Sequence, residues 1–188
     1  MQEFLWAIVV IVLIIIIVTK VHTVLIDDRV LVEASDGHKY LVRNTHKKQE
    51  TAEALVRLNT KVITFINRLV KEADVEHTPM ALRLKKRYNP STLSEGRIDK
   101  RYTSYTVNKG EQVVLCLRTR DSNDVIYDDN LIFYVTLHEL GHIASITEDH
   151  NAEFHRNFRY LLKKASEWDL WKRVSEPFQY CGMHVNGM

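Results

Sequence analysis

The residues best suited to chemistry stand together at His138-Glu139-Leu140-Gly141-His142. Residues four apart share one face of a helix, about a turn from each other, so in a helix both imidazoles point at one spot. Two imidazole nitrogens at about 2.0–2.1 Å can hold a single Zn²⁺, and Glu139 beside His138 reaches a water at the metal as general base. Two such histidines around a glutamate are a known zinc-protease arrangement. Three fixed letters in five also arise by chance, so the surroundings decide. Gly141 is unfavourable inside a helix by about 1 kcal/mol relative to alanine, a cost that makes sense where another group approaches the metal closely. Apolar residues such as Phe133, Leu137, Leu140 and Ile143 embed the histidines in a buried helix. There, unpaired imidazoles would cost free energy unless bound or hydrogen-bonded.

A catalytic zinc usually takes three protein ligands and keeps a fourth position open. The segment Thr147-Glu148-Asp149-His150-Asn151-Ala152-Glu153-Phe154 follows the helix directly and supplies the choices. His150 fits best, because the first residue of a returning helix is placed to look back. Asp149, Glu153 and Glu167 are the alternatives, Asp149 also as an acceptor that orients a ligand histidine. Tyr180 and His184 are candidate transition-state donors, and His155 reads as a surface helix residue.

The elements that must position these residues are legible in the patterning. Val30, Val32, Tyr40 and Val42 alternate around Asp36-Gly37, which predicts a β-hairpin. Residues 49–74 carry apolar residues at spacings of three and four without Gly or Pro, a long amphipathic helix. Thr78-Pro79 can open a short helix that Asn89-Pro90 would end. Tyr102 to Val107 and Gln112 to Arg118 flank Asn108-Lys109-Gly110, a second hairpin. Asp128, Asp129 or Asn130 can cap the helix bearing the histidines, from Leu131 to about Ile146, and a further helix starts near Asn151. The tail around Trp168, Trp171, Tyr180 and Cys181 is aromatic and not periodic, suited to packing back on the body.

The chain has 188 residues, with 26 Lys plus Arg against 24 Asp plus Glu. That length suits one α+β domain with an appendage, and the near-neutral charge gives no global attraction to a polyanion. Arg83, Lys85, Lys86, Arg87, Arg97, Lys100 and Arg101 form a local basic cluster. It reads as a solvated surface in preference to a phosphate site, so nucleic acid is possible as a partner but not favoured. Phe4 to Val18 are fifteen apolar residues, roughly 22 Å as a helix, which with Thr19 and Lys20 could span a thin bilayer. The expectation is a single-pass anchor over residues 1–25, lipid contact through 4–19, and a domain over 26–188. Lys20 and Arg29 lean that domain towards the cytoplasm. Cys116 and Cys181 form no CxxC pair and read as two buried thiols of a reducing compartment.

With these residues in view, the chain resembles the WLM and SprT-like zinc metallopeptidases, whose pattern is HELxH, a short loop, then a third histidine and a large aromatic, here His150 and Phe154. Tyr102 to Glu111, Leu115-Cys116-Leu117-Arg118 and Tyr180-Cys181-Gly182 look like the version carried by large eukaryotic DNA viruses. The resemblance covers roughly Tyr88 to Gly182. It implies a zincin-like fold, one catalytic zinc on His138, His142 and His150, Glu139 as base, and endopeptidase activity on protein or peptide, which together with the apolar run gives a membrane-anchored endopeptidase as the expectation. Seven residues separate His142 from His150, a longer loop than the family's pattern. Relatives act on proteins crosslinked to DNA, a substrate that an anchored chain does not suit. The alternative function is a catalytically silent, zinc-stabilised interaction protein of a membrane or virion. An extended substrate could add to the free edge of Val113 to Leu117.

Overall fold

Period-two alternation builds the first hairpin as expected, with β1 (Arg29–Glu33) antiparallel to β2 (Lys39–Arg43) and Val30 opposite Val42. Gly37, at φ 79°, turns it. The computed structural model describes residues 6, 8–18, 27–98, 103–173 and 178–185. Val32, Tyr40 and Val42 face inward onto α1 (Lys48–Glu72), whose buried stripe of Leu55, Val62, Phe65, Ile66 and Leu69 is the one its spacing predicts. Next come α2 (Thr78–Arg87), opened by Pro79, and a single 3₁₀ turn at Pro90–Thr92.

A three-stranded sheet has the order β3-β5-β4, from β3 (Leu93–Glu95), β4 (Tyr105–Val107) and β5 (Gln112–Leu115). β4 and β5 are the predicted hairpin, shortened, and turn through Asn108, Lys109 and Gly110, all at positive φ. β3 pairs parallel to β5, a strand that three residues of sequence do not announce. The Val113 to Leu117 edge is therefore not free: β3 and β4 flank β5, and the Leu117 carbonyl accepts from Tyr127 N. The outer strand beside the histidines is β4.

Asp128 caps α3 (Asp129–Ala144) by accepting from Asn130 N, and Asn151 caps α4 (Ala152–Glu167) by accepting from Glu153 N and Phe154 N. The tail adds a hairpin, β6 (Phe178–Tyr180) with β7 (Met183–Val185). One buried cluster runs between the helices and the sheet, joining Phe65, Leu84, Leu115, Phe133, Leu140 and Leu161. The domain is α+β.

Two expectations are corrected. Among the described residues, no helix is long and apolar enough to cross a membrane. The described part of the apolar run, residues 8–18, is helical and rises about 16 Å, where a hydrocarbon core near 30 Å would have to be crossed. This overturns the single-pass anchor, and with it the bilayer contact through residues 4–19 and the inferred membrane localisation. Residues 1–5, 7 and 19–26, which complete the expected anchor and its boundary, lie outside the described residues, as do Lys100, Arg101 and Tyr102. Cys116 and Cys181 are bonded to each other, with Cα atoms 6.5 Å apart across 65 residues of sequence. Only the fold brings them together, so their spacing misled, and the argument for a reducing compartment falls.

Candidate metal centre

His138 and His142 stand one turn apart on α3, and the loop between α3 and α4 delivers His150 to the same point. The Nε2 atoms of His138 and His150 are 2.9 Å apart, and those of His142 and His150 are 3.2 Å apart. All three ligand atoms lie within 4.8 Å of one another. Tetrahedral ligands at 2.0–2.1 Å from zinc stand about 3.3 Å from each other, so the His142–His150 and His138–His150 separations are close to what a shared metal requires. Burial drives His138 and His142 each down to about 4, helped for His138 by its neighbours His142 and His150 and for His142 by His150 and Lys109. Both rings are thus neutral at pH 7 and keep the lone pair a metal needs.

Phe154, almost fully buried, braces all three rings. Its centroid is 4.3 Å from that of His142 in a stacked arrangement, 4.9 Å from His138 and 4.7 Å from His150. Gly141 makes room for it: a Cβ there would meet Phe154 Cε2 at 3.0 Å and Phe158 Cβ at 3.4 Å. The glycine predicted to permit a close approach therefore admits the α4 aromatics.

Glu139 is 4% exposed. Burial raises its carboxyl to about 7 against the opposing effect of Thr106, whose Oγ1 donates to Oε2 at 2.9 Å. A cleft of about 470 Å³ opens over this group, lined by His138, Glu139, His142 and His150 together with Ser104, Tyr105, Thr106, Asn108 and Lys109. The β4 strand thus forms one wall and the histidines the floor. Thr106 was not singled out from sequence: its alternation marks a strand, but nothing local says which helix that strand faces.

The remaining candidates are dispersed. Asp149, at φ 62°, lines the cleft outside the histidine cluster. Glu153 turns away and accepts from Ile146 N, Thr147 N and the Thr147 hydroxyl. Glu167 pairs with Lys164 at 2.9 Å near the far end of α4. Tyr180 is buried, donates to the Cys116 carbonyl at 2.8 Å and bonds Ser104 Oγ at 2.8 Å, so it supports the wall of the cleft and does not line it. His184 bonds Gln179 across the exposed tail hairpin, and His155 is exposed as expected.

An α+β domain with two histidines and a glutamate on one helix, completed by a histidine from the next loop, is of the zincin-like class. The sequence profile of the WLM domain matches residues 80–187. The chain belongs to the WLM domain family, a zincin-like metalloprotease family. It is 34% identical over 152 residues to protein R325 of Acanthamoeba polyphaga mimivirus, covering 78% of this chain and 77% of that protein. It is 33% identical over 96 residues to protein 136R of Invertebrate iridescent virus 6, covering 50% and 53%. The expected likeness to proteins of large DNA viruses holds. Among solved structures, Wss1 from Saccharomyces cerevisiae aligns with TM-score 0.40 and 21% identity over 49% of this chain and 72% of that one. A Wss1 mutant aligns with TM-score 0.46 and 20% identity over 69% and 92%.

Proposed function

We propose that this chain is a zinc-dependent endopeptidase, with His138, His142 and His150 as metal ligands and Glu139 as the catalytic base. The observation that carries the reading is the convergence of three imidazoles beside a buried carboxyl on the floor of an open cleft. Zinc, when bound, supplies Lewis acidity at the scissile carbonyl and lowers the pKa of water towards neutrality.

The chain's own residues do the rest. Thr106 occupies Glu139 Oε2, which leaves Oε1 to take the proton of the attacking water and return it to the leaving amine. Phe154 keeps the three rings from rotating away from their common point. β4, the outer strand of its sheet, offers backbone groups to an extended polypeptide laid along the cleft. Such pairing reads backbone more than side chains, which suits unfolded or flexible protein as the substrate class.

The test is cleavage of an unfolded protein by the zinc-loaded full chain beside its Glu139→Gln form, with bound zinc measured in both. Activity should fall by about 10²-fold or more in the variant while zinc is retained. Equal inactivity of both, each with one zinc, would favour the silent zinc-stabilised interaction protein. Equal activity of both would exclude Glu139 as base.

A further inference from the structure

Two of the three imidazoles are fixed by α3, but His150 ends the exposed stretch 146–150, which passes through a left-handed Asp149. Side chains from three neighbouring elements fasten this stretch and the helix end that leads into it. Arg87 Nη1 of α2 donates to the carbonyls of Ile143 at 3.0 Å and Ser145 at 2.8 Å, and Arg83 Nη1 donates to Ala144 O. These carbonyls at the end of α3 are ones a helix leaves without partners, and a cation there opposes the negative end of its dipole. Glu153 of α4 accepts from Ile146 N through Oε1 at 3.0 Å, and from Thr147 N at 3.0 Å and Thr147 Oγ1 at 2.7 Å through Oε2. Arg83 Nη1 lies 3.7 Å from Glu153 Oε1, which joins α2, the end of α3, the loop and the first turn of α4 in one chain of contacts. From the β4–β5 turn, Lys109 donates to Thr147 O and lies 3.5 Å from Glu148 Oε1.

We propose that Glu153, backed by Arg83, is a positioning residue for His150: it presets the loop so that the third imidazole reaches the other two, and zinc affinity depends on it. The inference rests on the ligand reading above. Glu153 is bonded to the loop's N–H and hydroxyl groups, so it acts through the path of the chain. A loop ordered only when metal arrives gives up conformational entropy at that step, whereas a preset loop has already done so. Glu153 is one of the residues that sequence alone offers as a possible ligand; the fold gives it a different task at the same centre.

The experiment is a double-mutant cycle on the full chain, reading Zn²⁺ affinity by competition with a chelator. Glu153→Gln should weaken zinc by about tenfold in the presence of His150 and have no effect on affinity in the His150→Ala background. A purely structural role would give the same loss in both backgrounds, or a loss of thermal stability without a loss of affinity; either overturns the proposal. His150→Ala that leaves zinc affinity intact would overturn the ligand reading, and this inference with it. Should Glu153→Gln fail to fold, Thr147→Val removes one bond to the carboxylate and keeps the charge. Its smaller loss of affinity must likewise vanish without His150, and persistence there overturns the proposal.

Discussion

Phe154 shows how one apolar side chain can serve a polar centre. It touches all three histidine rings and fills the space that Gly141 leaves, so truncation removes packing from both helices at once. Phe154→Ala should cost about 3–5 kcal/mol of stability, read from the urea midpoint of the metal-free protein, and should weaken zinc binding as well. A cost under about 1 kcal/mol would mean that the ring is not packed as described. Thr106 makes the complementary point: one hydroxyl from a three-residue strand meets the buried Glu139 carboxyl, a pairing of residues 33 positions apart.

At the scale of elements, the loop between α3 and α4 carries a pH signature. Burial alone would raise the Glu153 carboxyl. The N–H of Ile146, the hydroxyl and N–H of Thr147, and Arg83 overcome this and hold it at about 2, below its ordinary 4.5. A carboxyl lowered in the folded state adds stability above its unfolded pKa, and that contribution is lost as pH falls through the folded value. The metal-free protein should therefore lose stability between about pH 5 and pH 2, and Glu153→Gln should flatten that slope when urea midpoints are compared across the range. An unchanged slope in the variant would show that other carboxyls carry the acid response.

Across the whole molecule, the β1–β2 hairpin is tied to the three-stranded sheet by charge. Arg118 is fully buried and Glu95 nearly so. Arg118 donates to Glu95 Oε1 at 2.8 Å and Oε2 at 2.7 Å, and to Asp124 Oδ2 at 2.6 Å. Arg43 of β2 donates to Glu95 Oε1 at 3.0 Å and Asp124 Oδ1 at 3.0 Å, so two cations and two anions neutralise each other. Removing one partner leaves an uncompensated buried charge. Glu95→Gln should thus destabilise by about 3–5 kcal/mol, measured by urea unfolding, and added salt should not restore it, because buried pairs are weakly screened. The Cys116–Cys181 bond fastens the tail hairpin to the end of β5, where Tyr180 and Ser104 meet behind the cleft wall.

The sequence by itself determined what depends on short-range periodicity. The 3.6-residue repeat placed His138 and His142 on one face, the alternation around Gly37 made the first hairpin, and the cap candidates Asp128, Asp129 and Asn130, with Asn151, marked roughly where two helices begin. Each of these is settled by residues within a turn or two of each other. Tertiary structure alone decided the rest. It brought Thr106 to Glu139, gathered His150 with His138 and His142 while leaving Asp149, Glu153 and Glu167 outside the cluster, and joined two cysteines 65 residues apart. Such contacts are made when layers pack, and packing brings together residues whose separation along the chain carries no pattern to read.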